Sequence, residues 1–421
     1  MRDRYGNGGN GGKSGAGAAE GAGRRARRGP RTLRTALALL TCAAVCATAA
    51  GCGPGGGDPK SPERAIRVTP RDGAEDVRAD APLRVSVGEG RLERVRVLRQ
   101  GDVRRRALPG RLSADGRTWR PARSLAMAAK YTVDALAVDG HGRRTARHSD
   151  FTTRAPEHRF IGFFTPENGQ TVGTGMIPSI DFDRPIADRA AVERAIRVTA
   201  HPRTEVAAHW FGRSRLDFRP RTYWRPGTRV SLTLRLRDVR GAPGAYGVQN
   251  KTVRFTVGRD QRSTVDARRH TMTVRRGGHT VARVPVTAGD KGNPTYNGRM
   301  VISEKYDVTR MNGDTVGFGG EYDIDDVPHA MRLTDSGTFL HGNYWAPSGT
   351  FGSSNTSHGC VGLRDARGGS PRTPAGRFYG ESLIGDVVTV RGSAESTVAP
   401  DNGLSGWNMG WHRWKAGSAL N

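Results

Sequence analysis

The stretch Asn355-Thr-Ser-His-Gly-Cys-Val-Gly-Leu-Arg-Asp-Ala366 places a thiol, Cys360, between Gly359 and Gly362 and two residues after His358. The chain has four cysteines, and the other three, Cys42, Cys46 and Cys52, share one apolar segment near the start. A free thiol, with a pKa of about 8.5, is a poor nucleophile until an imidazole or a set of backbone N–H donors favours its anion. Both kinds of help are at hand. His341 lies in Thr338-Phe-Leu-His-Gly-Asn343, an apolar strand ending at a glycine, 360 − 341 = 19 residues before the thiol. His358 is nearer, but residues i and i+2 of an extended chain sit on one face about 7 Å apart, so it reaches the sulfur only if the chain bends. Spacing alone leaves open which histidine takes the proton. Gly359 removes a side chain beside the nucleophile, so that the amides of Gly359 and Cys360 can converge on one oxygen, as an oxyanion hole requires. An inert buried cysteine is the plainer alternative, but Asn355, Thr356, Ser357 and Gly359 describe an exposed turn. A zinc site is another, and it lacks a second cysteine or an acidic ligand at the usual spacing.

A chain of 421 residues exceeds what one core organises, and two to four domains are expected. Residues 1–34 are Gly-rich and basic, and an apolar run from Thr35 to Cys52 follows. That is the layout of a secretion signal, and the run is shorter than the roughly 20 residues of a spanning helix. Its end, Ala49-Ala-Gly-Cys52, resembles a bacterial lipoprotein signal, with Ala49 where leucine is usual. That resemblance implies cleavage before Cys52 and lipid on its thiol. It also implies a location outside the cytoplasm, on the outer face of the cell membrane and in the cell wall. The expected divisions are a signal over 1–51 and a flexible tether over 52–62. Cys360 is then the sole thiol of the mature chain, and no disulfide framework exists.

The formal net charge of +27 suits a polyanionic partner. No helix-turn-helix, zinc or single-strand-binding motif speaks for nucleic acid. Anionic lipid headgroups and anionic wall polymers remain, beside the plain reading of an Arg-rich composition spread over every segment.

Residues 64–257 hold many short β-branched runs with period-two alternation, such as Tyr131-Thr-Val-Asp-Ala-Leu-Ala-Val138 and Val230-Ser-Leu-Thr-Leu-Arg-Leu236, and no sustained helical period. Thr69-Pro-Arg-Asp-Gly73 is echoed by Thr165-Pro-Glu-Asn-Gly169, and Trp119-Arg-Pro121 by Trp224-Arg-Pro226. Two tandem Ig-like β-sandwiches are predicted, over 63–154 and 155–258. Their histidines, His148, His158, His201 and His209, have no partners at ligand spacing and read as surface or packing residues. From 259 the texture changes. A hairpin turns at Gly277-Gly278, a strand covers Met300–Ser303, a short helix Phe378–Ile384 and a closing strand Asp386–Val390. In the tail, over 393–421, Trp407, Trp411 and Trp414 recur at helical spacing and are expected to dock it onto the preceding domain.

Taken together, His341-Gly342 followed by Ser357-His-Gly-Cys360 resembles the signature of the bacterial L,D-transpeptidase catalytic domain, here expected over 259–392. Pro294-Thr-Tyr-Asn-Gly298, Asp335-Ser-Gly-Thr-Phe-Leu-His341 and Gly406-Trp-Asn408 fall in the family's order, and the whole layout is similar to its actinobacterial branch. The resemblance implies a mainly β protein: two Ig-like sandwiches, then a β-sandwich-like catalytic domain with short helices and a Trp-rich tail. It implies Cys360 as nucleophile, His341 as proton acceptor and donor, and His358 and Gly359 shaping the oxyanion hole and holding a thiolate. Tyr322, Ser336, Gly337 and Gly362 fall at the substrate-contacting positions. The implied reaction takes a peptidoglycan stem tetrapeptide as donor and makes a 3→3 cross-link, with no metal or organic cofactor, and carbapenem-type β-lactams as inhibitors. Two positions depart from the pattern: Gly342 stands where serine is common and Gly362 where asparagine is. These departures keep open a wall-binding scaffold with a degenerate catalytic domain, and water as acceptor would make an L,D-carboxypeptidase. A cysteine peptidase of the Cys-then-His-then-Asn order does not fit.

Overall fold

The computed structural model describes residues 65–316 and 323–421. The predicted signal and tether, Cys42, Cys46, Cys52 and Tyr322 lie outside the described residues.

The alternating runs of residues 64–257 form two sandwiches, each closed around its own core. In the first, strands Ile66–Thr69, Arg84–Val87, Thr118–Pro121 and Gly110–Leu112 make one sheet, and Ala74–Val77, Arg144–Thr153, Lys130–Val138 and Arg91–Arg99 the other. Lys130–Val138 shows the cause plainly: Tyr131, Val133, Ala135 and Ala137 are buried against Val85, Trp119 and Phe151, and the residues between them are not. The second sandwich pairs Gly162–Thr165, Ser179–Phe182, Arg215–Pro220 and Val206–Phe211 in one sheet, with Thr171–Val172, Asn250–Val257, Arg229–Arg235 and Ile196–His201 in the other.

The first sequence echo is structural. Gly73 N–H donates to Asp150 O (2.8 Å) and Gly169 N–H to Arg254 O (2.7 Å), and each turn leads into a short strand parallel to the last strand of its sandwich. The tryptophan echo is not. Trp119 sits within a strand, whereas Trp224 lies beyond the corresponding strand, Arg215–Pro220, and its indole N–H donates to Met176 O (2.8 Å). A six-residue helix, Arg189–Arg194, capped by the Asp188 side chain on Ala191 N–H (3.2 Å), is too short for its period to show in sequence. His148 gains a carboxylate partner from the strand opposite, Asp134 Oδ1 at 2.7 Å, which sequence spacing could not reveal.

The third domain is a nine-stranded sheet in the order Gly298–Val301, Val387–Arg391, Gln261–Asp266, Thr271–Arg276, His279–Thr287, Val361–Arg364, Phe339–Asn343, Asp323–Arg332, Glu304–Asn312. Its two halves join where Val286 pairs with Leu363 and Thr287 with Gly362, and Gly289 bridges to Ser357 beside them. Val265, Met272, Met300 and Val388 from one half share a core with Met331, Leu340, Val361 and Leu363 from the other. The helix starts earlier than expected, at Pro374–Glu381, because Thr373 caps it on Gly376 N–H (3.1 Å) and Pro374 fits the first turn. The strand expected at Met300–Ser303 is Gly298–Val301.

The tail is not one helix. Trp407 lies in a 3-10 turn, Gly406–Asn408, and only Trp411 and Trp414 share the helix Trp411–Ala416. All three rings nevertheless surround the guanidinium of Arg219 in the second sandwich, at 4.8, 5.3 and 4.5 Å from their centroids. Burial there lowers the Arg219 pKa to about 10. Trp414 Nε1 donates to Ala207 O (3.0 Å), Trp407 Nε1 to Gly175 O (2.7 Å), and His209 Nδ1 to Trp414 O (2.7 Å). The tail therefore packs against the second sandwich as well as the domain before it. Gly173 N–H to Ile384 O (2.8 Å) and Gly175 N–H to Gly385 O (2.9 Å) complete that junction. Trp414→Ala, which empties a fully buried site, is expected to cost about 3–5 kcal/mol and lower the urea midpoint, and Trp411→Ala, whose ring is half-buried, distinctly less. Urea titrations followed by circular dichroism check this.

Candidate active site

Strands Phe339–Asn343 and Val361–Arg364 run parallel, with His341 opposite Gly362. Alternate residues of a strand share a face, so Cys360, two residues before Gly362, projects on the side of His341. Both line one cleft of about 380 Å³, together with His358, Asn343, Trp345, Met311 and Ile324. Met311 and Ile324 face each other across the hairpin Glu304–Asn312 and Asp323–Arg332.

His341 is 4% exposed. Its Nδ1–H donates to Gly342 O (2.9 Å), which leaves the Nε2 lone pair free to accept a proton. The Trp345 ring stacks on the imidazole at 5.6 Å and 11°. Burial lowers the imidazole pKa, opposed by the bond to Gly342. Burial also pushes the Cys360 thiol up to about 11, opposed by Phe339 N–H and the charge of Arg332. The sulfur accepts from Phe339 N–H (3.4 Å) and donates to Gly337 O (3.5 Å). Among the described residues no hydrogen bond joins Cys360 to His341. Burial thus works against both charged forms, the thiolate and the imidazolium.

Gly359 has φ of +107°, a conformation that suits glycine and turns the chain just before the nucleophile. The preceding segment is held hard. Thr356 and Ser357 amides donate to Ala288 O (3.0 and 3.1 Å), Asp290 N–H donates to Ser357 O (2.9 Å), and Ser357 Oγ donates to Cys360 O (2.6 Å). The amides of Gly359 and Cys360 take no part in these bonds. Ser336 and Gly337 lie on the other side of the sulfur, in a loop tied to the tail. Asn402 Oδ1 accepts from Ser336 N–H (3.0 Å) and Asn402 Nδ2 donates to Ser336 Oγ (2.8 Å).

The two departures have steric causes. A Cβ at Gly342 would lie 2.2 Å from Asp365 Oδ2, and one at Gly362 would lie 2.9 Å from Thr287 Cγ2 and 3.3 Å from Asn343 Cβ. Asp365 is itself fixed: its carboxylate takes His329 Nδ1 (2.6 Å), Thr373 Oγ1 (2.8 Å) and Ala366 N–H (2.8 Å). Asn343 lines the cleft and Arg364 does not. Trp345, Asp365 with His329, and Asn402 went unrecognised in the sequence. Trp345, four residues past His341, carried the only local signal.

Gly342→Ala should displace Asp365, slow acylation of Cys360 at least about tenfold and destabilise by roughly 1–3 kcal/mol. In the double variant with Asp365→Ala, the Gly342 change should cost much less than alone. Additive losses in acylation rate and urea midpoint would count against the steric cause.

Residues 260–377 match the model of the L,D-transpeptidase catalytic domain, and residues 74–240 that of a bacterial Ig domain. The chain is similar to L,D-transpeptidase 2 of Mycobacterium tuberculosis, 34% identical over 364 residues that cover 85% of each protein. It is also similar to L,D-transpeptidase 5 of the same species, 31% identical over 86% of this chain and 79% of that one. Among solved structures, the L,D-transpeptidase LdtMt1 in complex with imipenem is 28% identical, with 56% of this chain and all of that chain covered at a TM-score of 0.46. With identity above 30% over more than four-fifths of its length, this chain belongs to the L,D-transpeptidase family.

Proposed function

We propose that this protein is a peptidoglycan L,D-transpeptidase whose acyl carrier is Cys360. The carrying observation is that His341 and Cys360, from adjacent parallel strands, share a face and line one cleft. Cys360 attacks the carbonyl of the third residue of a donor stem tetrapeptide. The S–H proton passes to His341 Nε2, the S–C bond forms, and the oxyanion meets the amides of Gly359 and Cys360. Collapse breaks the C–N bond, and His341 returns the proton to the departing D-alanine amine. The side-chain amine of a second stem then attacks the thioester, its proton passes through His341 to sulfur, and a 3→3 cross-link results. His358, Ser336, Gly337 and Gly362 shape the surroundings of the acyl group, and Tyr322 completes the substrate contacts.

Because both reacting groups rest neutral, proton transfer accompanies attack, and the general base carries more of the barrier than in a preformed ion pair. With water as acceptor, the same thioester gives an L,D-carboxypeptidase. A thioester-forming thiol also accounts for acylation by carbapenem-type β-lactams. The protein works outside the cytoplasm, and we place it at the membrane surface by lipid on Cys52.

Incubation with a carbapenem should add one acyl mass, seen by intact-mass spectrometry, that is absent in Cys360→Ala. His341→Ala should slow its appearance by about 10²–10⁴-fold. Purified tetrapeptide muropeptides should yield 3→3 dimers. An adduct that survives Cys360→Ala rejects the proposed nucleophile. Folded protein that forms neither adduct nor dimer supports the scaffold reading instead.

A further inference from the structure

A second cleft, of about 670 Å³, opens between the second sandwich, the outer face of the third-domain sheet and the tail. Its floor follows from strand periodicity. Along Gln261–Asp266 the side chains of Ser263 and Val265 turn inward, which presents Arg262 and Thr264 outward. Strand pairing sets Arg275 opposite Arg262, Thr389 opposite Thr264, and Arg299 opposite Thr389. Arg221 and Tyr223 come from the second sandwich and Trp407 from the tail. Four guanidiniums face one carboxylate, Asp260, whose Oδ1 accepts from Arg262 Nε at 2.9 Å, so the lining carries 4 − 1 = +3 charges. Among the described residues, Arg221 and Arg275 meet no carboxylate. Like charges directly opposite on paired strands disfavour the fold, so Arg262 beside Arg275 is a cost that a bound anion would relieve. The aromatic wall is preorganised: Arg262 lies over the Tyr223 ring at 4.9 Å, and Tyr223 meets Trp407 edge-on at 4.5 Å. Arg299 is steadied by Trp407 O at 3.2 Å.

We propose that this cleft binds a polysaccharide or polyol chain of the cell wall that carries anions on successive residues. Guanidinium forks take phosphate or carboxylate oxygens, and threonine hydroxyls donate to further oxygens. Arg275 and Arg299 are three strands apart, about 14 Å, a span that fits a chain better than one small anion. The recess lies between two domains and a tail, which admits a strand of polymer and not a flat bilayer. The cleft occupies the opposite half of the sheet from Cys360, with strand His279–Thr287 between. The assignment takes from the proposed function only that the protein works in the wall, so it stands or falls apart from the acyl chemistry.

The test is binding of poly(glycerol phosphate), of polygalacturonate and of phosphatidylglycerol vesicles to the full chain at about 0.15 M salt. One or both polymers should bind, and the pair identifies which anion is preferred. Arg262→Glu with Arg275→Glu should weaken binding at least about tenfold, while Arg104→Glu with Arg106→Glu, an equal charge change on the first sandwich, should alter it less than about twofold. Cys360→Ala should bind as the parent does. If the cleft variant fails to fold, labelling of the parent with phenylglyoxal decides, since bound polymer should shield Arg262 and Arg275. Equal losses in both charge variants, binding to vesicles but to neither polymer, no binding at all, or no shielding would each overturn the proposal.

Discussion

The site depends on one constraint, a half-buried sulfur held on the same face as a buried imidazole from the adjacent parallel strand. Burial raises the thiol pKa and lowers that of His341, so both effects favour the neutral forms. Trp345 over the imidazole, with Met311 and Ile324 across the cleft, gives the pair apolar walls. The Gly342 carbonyl fixes the imidazole tautomer by accepting from Nδ1–H. Glycine suits this position because Asp365 fills the space a side chain would take.

The same loop that touches the sulfur is braced from outside its own domain. Arg215 of the second sandwich, buried and ion-paired with Asp217 at 2.7 Å, donates to Asp401 O (2.8 Å) and Gly403 O (2.7 Å) in the tail. Between those two carbonyls, Asn402 reaches Ser336, next to the Gly337 carbonyl that accepts from the thiol. The guanidinium of Arg219 among three tryptophans holds the rest of the tail against the same sandwich. The Ig-like domain nearest the site is therefore part of its support and more than a spacer.

Much of this was legible from sequence for physical reasons. Period-two alternation reports burial directly, so strands such as Lys130–Val138 and Arg229–Arg235 emerge almost to their ends. The Ser-His-Gly-Cys turn stood out because glycine and small polar residues beside a lone thiol are chemically unusual. What failed was whatever depends on strand pairing or distance in the chain. The His148–Asp134 pair, the Asp365 contact under Gly342 and the Asn402 clasp join residues that no local pattern relates. The helix Pro374–Glu381 begins four residues before Phe378 because Thr373 caps it and Pro374 opens it. The protonation state also lay beyond sequence, since burial sets it.

The rate at which iodoacetamide alkylates Cys360 as a function of pH is the most direct probe of that state, because only the thiolate reacts. A thiol buried beside a neutral histidine should react slowly at neutral pH and accelerate about tenfold per pH unit towards a midpoint of about 11. A fast rate that stays level between about pH 6 and 8 would reveal a standing thiolate–imidazolium pair and contradict the neutral resting site.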